Sequence, residues 1–110
     1  MILETIIDGA SVTIPIAEPF KPDMTAIISQ IEQLAMSQGV EIAYLDVKGL
    51  ILEMIRGIAG CESGCPADAK RLISRGYSGF DLHYVEGGIL TARTATGDGK
   101  LIHLKVFPDF

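Results

Sequence analysis

The chain has 110 residues, of which 48% are hydrophobic and 21% are charged, a size and composition typical of one folded domain and not of a disordered chain. Nine Lys and Arg stand against 14 Asp and Glu, so the formal net charge is −5 and the overall field repels nucleic-acid phosphates and anionic lipid surfaces. We therefore expect a single domain, residues 1–110, whose partners include neither nucleic acid nor a membrane. The high apolar fraction also predicts a homo-oligomer, because it exceeds what one small core readily hides.

Two β-rich runs open the chain, residues 2–7 and 11–16, and Asp8-Gly9 separates them. Asp-Gly between such runs is typical of a tight hairpin turn. Pro15 has no backbone N–H to donate, so the second run is expected to form an edge strand or to end there. The first ten residues lack the basic and apolar regions of a signal peptide, and we expect a cytoplasmic protein.

Helical periodicity follows over residues 23–38, where apolar side chains recur every three or four positions and Gly39 provides a stop. Residues 40–47 then alternate in polarity and predict a strand. The stretch 49–59 fits both a helix face and an alternating strand, and we prefer the helix.

A further helix is predicted over residues 66–75. Pro66 suits its first position, and Gly76 follows as its stop. The helix carries a basic cluster made of Lys70, Arg71 and Arg75. Because cations near a helix C-terminus complement the helix dipole, we interpret this cluster as a solvated face.

Three strands with Gly-rich turns end the chain, at residues 80–85, 89–95 and 100–106. Three-residue turns would place His83 opposite Thr91 and Asp81 opposite Arg93 on the polar face of this meander. The apolar side chains then share the other face: Phe80, Leu82, Tyr84, Leu90, Ala92, Ile102, Leu104 and Val106.

These elements predict an α+β fold with a largely antiparallel sheet, formed by an N-terminal hairpin and a C-terminal three-strand meander. Two or three helices are expected to pack on one face of the sheet, and its N-terminal part is expected to be mixed. Phe107 and Phe110 are expected to dock on the domain or on a neighbour, because they would be costly in a loose tail.

The most reactive candidates are Cys61 and Cys65, which lie four positions apart in a Gly-rich stretch. Cys65 precedes Pro66 and is expected to cap the helix, where the unpaired N–H groups and the dipole favour a thiolate over the free thiol of pKa about 8.5. Glu62 and Asp68 would oppose this effect. Such a pair suits a reversible disulfide, sulfur transfer, half of an iron–sulfur site shared with a second subunit, or two ligands of a zinc site.

The fragment C-x3-C-P resembles the end of bacterial-type ferredoxin cluster motifs, but the preceding cysteines of those motifs are absent. A cluster held by one chain is therefore excluded. Cys-Pro at the start of a helix also resembles the sulfur-carrier and thioredoxin-type arrangement, although the C-x-x-C spacing of thioredoxins is missing. No family is assigned from either resemblance.

A zinc site within one chain would need His83 and His103 as further ligands. The meander places these two residues two strands apart, about 10 Å, which is too far for one tetrahedral ion. We interpret both as solvent-facing strand residues. A zinc ion or an iron–sulfur cluster held by Cys61 and Cys65 would therefore have to be shared between subunits.

The sequence supports two hypotheses and assigns no enzymatic reaction. In the first, the protein is a cytoplasmic thiol-redox or metal/sulfur-handling protein in which Cys65 is the activated thiolate and Cys61 is the resolving residue or second ligand. In the second, the protein is a non-catalytic oligomerisation or regulatory module with incidental cysteines. This module would bind a protein partner through the sheet surface or through the basic face of helix 66–75.

Overall fold

The computed structural model describes residues 1–42, 46–59, 67–77, 79–85 and 88–107. The α+β prediction is confirmed, because these residues form one antiparallel sheet and three helices. In chain order the elements are β1 (Ile2–Ile7), β2 (Ala10–Pro15), α1 (Met24–Ser37), α2 (Val47–Ala59), α3 (Ala67–Arg75), β3 (Asp81–Val85), β4 (Ile89–Ala95) and β5 (Leu101–Phe107).

The sheet has the strand order β2-β1-β5-β4-β3, and each neighbouring pair is antiparallel. The first and last strands therefore lie side by side near the middle of the sheet. Since all of these pairings are antiparallel, the expectation of a mixed N-terminal part is wrong for the described strands.

The N-terminal hairpin is confirmed. Asp8 and Gly9 have φ angles of 49° and 87°, and Ile7 pairs with Ala10, so two left-handed residues make the tight turn. Pro15 lies on β2 at the edge of the sheet, where its missing N–H costs no ladder hydrogen bond.

The strand predicted at 40–47 is wrong. Residues 40–42 are not in a strand, Val47 begins α2, and residues 43–45 lie outside the described part of the chain. The backbone N–H of Val40 donates to the carbonyl of Ala35 at 2.9 Å, which uses it to close α1 instead of a sheet ladder. Capping of the preceding helix therefore outweighs the alternating pattern.

The preferred helix over 49–59 is confirmed and extends from Val47 to Ala59. The apolar side chains of this helix are fully or almost fully buried on one face. A strand would have divided the same side chains between the two faces of a sheet. The buried side chains are Val47, Leu50, Ile51, Met54, Ile55 and Ile58.

The helices predicted at 23–38 and 66–75 are confirmed over Met24–Ser37 and Ala67–Arg75, with Pro66 outside the described residues. Asp23 caps α1, where its carboxylate accepts from the N–H of Ala26 at 3.1 Å.

The meander register is also confirmed, with His83 opposite Thr91 and Asp81 opposite Arg93. Phe107 is half-buried at the end of β5, and Phe110 lies outside the described residues.

The core lies between the helices and one face of the sheet. The buried sheet residues on that face are Leu3, Thr5, Ile7, Ile14, Leu90, Ala92, Ile102, Leu104 and Val106. Thr5 is the exception in this apolar set, and its Oγ1 atom has no hydrogen-bond partner among the described residues. The other face of the sheet carries charge, including an ion pair between Glu4 and Lys105 at 3.9 Å. No helix in the described ranges is long and apolar enough to span a membrane.

Candidate functional site

The candidate cysteines, Cys61 and Cys65, lie outside the described residues. They belong to the segment 60–66, which joins α2 to α3. The structure therefore describes only the two helices that flank this segment. We call this pair of helices the α2–α3 hairpin.

The two helices run antiparallel in close contact. Gly57 of α2 lies against Ala69 of α3, and one turn earlier in α2 the carboxylate of Glu53 forms an ion pair with the guanidinium of Arg75 at the far end of α3. A Cβ atom at position 57 would lie 3.2 Å from the Cα atom of Ala69, closer than side chains usually pack against backbone. The absence of a side chain at Gly57 therefore sets the separation of the helices.

The two cysteines are equally distant in sequence from this contact. Cys61 follows Gly57 by four residues, and Cys65 precedes Ala69 by four residues. The two helix ends that flank the cysteine segment, Ala59 and Ala67, therefore lie at the same end of the α2–α3 hairpin.

A shallow groove of about 240 Å³ runs between the two helices. We call it the arginine groove, and its lining residues are Glu53, Arg56, Gly57, Arg71, Leu72 and Arg75. The three arginines are exposed, which confirms the solvated-face interpretation for Arg71 and Arg75. The contribution of Arg56 from the other helix was not predicted, because helix pairing is not visible in the periodicity of either helix alone.

A polar cluster fixes the opposite end of α2. The Asp46 carboxylate accepts a hydrogen bond from the N–H of Gly49 at 3.0 Å and a second from the hydroxyl of Tyr77, which follows α3. The Tyr77 hydrogen bond is the main reason that the pKa of Asp46 lies below its ordinary value, with the Gly49 N–H adding to it. Burial, followed by the bond to Asp46, raises the pKa of Tyr77 to about 12.

The geometry of this polar cluster indicates a structural role. A Cβ atom at position 49 would lie 2.5 Å from both the Asp46 carboxylate and the Tyr77 hydroxyl, so the two groups meet only because residue 49 is glycine. The sequence signal that could have found the cap is Asp46 three residues before the backbone N–H that it binds. The role of Tyr77 could not be found in the same way, because it is distant in sequence.

The two histidines are not brought together. His83 is exposed in the row that also holds Thr91 and Lys105, whereas His103 faces Arg93 in the adjacent row. Burial, together with the nearby cations Lys105 and Arg93, lowers the pKa of His103. In the ranges that the structure describes, no group of three or more His, Cys, Asp or Glu side chains is arranged to hold a metal ion.

Comparison of this chain with protein-family models, with curated proteins and with solved structures finds no match.

Proposed function

We propose that this chain is a cytoplasmic dithiol protein that exchanges its thiols with a disulfide substrate. Cys65 is the attacking thiolate, and Cys61 is the resolving thiol. The observation that supports this proposal is the antiparallel contact between Gly57 and Ala69, which brings the helix ends that flank the cysteine segment to the same end of the α2–α3 hairpin.

The reaction has two steps. The Cys65 thiolate attacks one sulfur of the substrate disulfide, forms a mixed disulfide and releases the first substrate thiolate, which takes up a proton. The Cys61 thiolate then attacks Cys65 Sγ and releases the second substrate thiolate, which also takes up a proton. The substrate gains two electrons and two protons, and the chain is left with a Cys61–Cys65 disulfide.

Local electrostatics favour Cys65 as the first nucleophile. Helix α3 begins at Ala67, two residues after Cys65, and its N-terminal N–H groups and dipole favour a nearby negative charge. Cys61 instead follows the C-terminus of α2, where the helix dipole is negative. The last turn of that helix also contains Arg56. The two helix ends that flank the segment therefore differ in their electrostatics, which supports an attacking role for Cys65 and a resolving role for Cys61.

The test is a single-turnover reaction. Protein that has been purified anaerobically and reduced is mixed with hydroxyethyl disulfide, a neutral substrate, and free thiols and intact mass are followed in time. We expect loss of two protein thiols with formation of one internal disulfide. Cys61→Ser should stop at a mixed disulfide on Cys65, and Cys65→Ser should react far more slowly. A Cys61→Ser protein whose Cys65 does not react with the disulfide would contradict the proposal.

The same preparation tests the alternative in which the cysteines hold a metal ion or cluster between subunits. Zinc or iron in stoichiometric amount, with thiols that react only after chelation, would replace the disulfide proposal with a metal site. Metal-free protein with two reactive thiols supports the disulfide reaction.

A further inference from the structure

We infer that two copies of this chain form a dimer by packing sheet against sheet. The core lies between the helices and one face of the sheet. We call the opposite face the outer face, and it is made of the alternate strand residues that point away from the core. This dimer is a property of the sheet and does not depend on the proposed thiol reaction.

An apolar row crosses the outer face at one end. Ile2 of β1 pairs with Phe107 of β5, and because Leu90 pairs with Val106, Ile89 continues the row on β4. The side chains of this row are only partly buried, and Ile2 keeps 38% of its surface exposed. A sheet face that meets only water is usually polar, so an apolar row across neighbouring strands indicates a surface that a partner covers.

A further exposed apolar side chain lies at the other end of the same face. Leu101 of β5 keeps 66% of its surface exposed, at the opposite end of that strand from Phe107. Ile2 and Leu101 are two of the four exposed large hydrophobic side chains in the described part of the chain, and the other two, Phe20 and Met36, lie outside the sheet. The outer face therefore has apolar residues at both ends and charged residues between them.

The charge of the outer face favours a second copy of this chain as the partner. Its strands carry two carboxylates, Glu4 and Asp81, and two cations, Arg93 and Lys105, so their charges cancel, whereas the chain as a whole carries −5. Two copies repel each other through surfaces that carry the net negative charge, and a neutral face avoids this repulsion. A strongly acidic or basic partner gains no net attraction from the same face.

The strand order makes the outer face self-complementary. Since β1 and β4 flank β5, a two-fold axis along β5 places β1 of one copy against β4 of the other. The apolar row then meets itself, with Ile2 across from Ile89 of the second copy. Glu4 lies across from the strand that carries Arg93, so opposite charges meet twice in the symmetric pair. Glu4 also pairs with Lys105 of its own chain at 3.9 Å, which reduces the repulsion between the two Lys105 side chains near the axis.

The size of the face predicts a weak dimer. Five strands about 4.8 Å apart, the longest of seven residues at about 3.3 Å each, make a plane of roughly 500 Å². Side chains raise its accessible surface toward the about 800 Å² per partner that specific interfaces bury. We therefore expect a dissociation constant in the micromolar range.

The first experiment is sedimentation equilibrium of the full chain, from low micromolar to submillimolar concentration. Reductant is present, so a dimer joined by disulfides does not form. We expect a reversible monomer–dimer equilibrium. Ile2→Lys and Leu101→Lys should each raise the dissociation constant at least about tenfold, because each places a cation in the apolar part of the interface on both copies. Leu101 is the more exposed of the two, so its variant keeps the test valid if Ile2→Lys unfolds.

The matched control is Met36→Lys, which makes the same charge change at an exposed apolar residue of α1 and should leave the dimer unchanged. A protein that stays monomeric at every concentration would overturn the inference. So would equal weakening by Met36→Lys, or a dimer that resists both Ile2→Lys and Leu101→Lys and therefore forms through another surface, such as the edge of β2.

A charge exchange tests the arrangement of the two copies. Glu4→Lys and Arg93→Glu should each weaken the homodimer about tenfold, because an exposed ion pair contributes roughly threefold and the symmetric interface contains it twice. An equimolar mixture of the two variants should recover the association of the parent protein, since one copy then offers two cations where the other offers two carboxylates. A mixture that associates no better than its separate components overturns the packing of β1 against β4.

Discussion

The β1–β2 hairpin and the α2–α3 hairpin are held together in opposite ways. The first is closed by a two-residue turn whose backbone conformation is encoded in Asp8-Gly9. The second has seven residues between its helices and is held by a contact between Gly57 and Ala69, which are distant in sequence. A connection that does not itself have to close the hairpin is free to carry reactive residues, and the two cysteines lie in that connection.

The largest expected effect comes from breaking the helix contact. Gly57→Leu would force the two helices apart at a buried crossing, and overpacking of this kind costs about 1–3 kcal/mol in the free energy of unfolding. We also expect slower reduction of hydroxyethyl disulfide, because the ends of the cysteine segment are no longer held together. Chemical denaturation and the single-turnover reaction measure the two effects.

The control for this prediction is Ser74→Leu, at an exposed position on α3, which adds the same side chain to the hairpin without entering the helix contact. Stability lost equally in both variants would show that the Gly57–Ala69 contact does not set the helix spacing.

The centre of the β1–β2 hairpin contains a defect that can be repaired. Thr5→Val replaces a buried hydroxyl that has no partner by a methyl group of similar size, and the free energy of unfolding should rise by about 1 kcal/mol, since an unsatisfied buried polar group costs about 1–3. Thr91→Val is the matched comparison. The Thr91 hydroxyl donates to the carbonyl of His83 at 3.4 Å, so this variant loses a hydrogen bond, whereas Thr5→Val does not. Urea denaturation that shows Thr5→Val to be less stable than the parent protein would refute the repair.

The turn of the same hairpin depends on backbone conformation alone. Gly9→Ala places a side chain in open space but at a φ of 87°, so we expect a loss of about 1 kcal/mol, the usual cost of a left-handed L-residue. Gly9→Asn should lose less, because asparagine tolerates this region better. Thermal unfolding measures the stability of both variants. Equal stabilities for Gly9→Ala and Gly9→Asn would mean that the φ angle does not determine the loss of stability.

The smallest expected effect is at the closed end of the α2–α3 hairpin. Tyr77→Phe removes the hydrogen bond to Asp46, and we expect a small loss of stability at neutral pH. Because the folded-state pKa of Tyr77 is raised to about 12, the tyrosine contributes fully below its unfolded pKa of about 10 and loses its contribution as the pH rises through 12.

The pKa of Asp46 is lowered in the folded state, so its contribution is present above its unfolded pKa and disappears as the pH falls through the folded value. The difference between the parent protein and Tyr77→Phe should therefore narrow at both ends of the pH range. Unfolding midpoints between pH 3 and 12 test this, and a constant difference would exclude the Asp46–Tyr77 bond as its source.

Local signals were sufficient where neighbouring residues determine the structure. The Asp8-Gly9 turn, the Gly39 stop of α1 and the pairing of His83 with Thr91 all depend on residues close in sequence, and the structure confirms them. The strand predicted at 40–47 is wrong because alternation is only a local pattern, whereas the N–H of Val40 bonds to the carbonyl of Ala35 in the preceding helix.

The site could be predicted only in part. Cys61 and Cys65 are visible as a pair in the sequence, and the helix that follows them is signalled by Pro66 and Gly76. The packing of α2 against α3, and the approach of Arg56 to the α3 arginines, are not visible there. Both depend on how two amphipathic helices pack, and a single buried stripe is compatible with many partners and crossing angles.

The sequence by itself determined the Asp8-Gly9 turn, the helices at 23–38 and 66–75 and the register of the C-terminal meander, because these depend on steric and hydrogen-bonding preferences within a few residues. Only the tertiary structure decided that β1 pairs with β5, that Val47 begins a helix instead of ending a strand and that Gly57 meets Ala69. These contacts join residues that are distant in the chain, and they are selected by the burial of apolar surface shared among several elements.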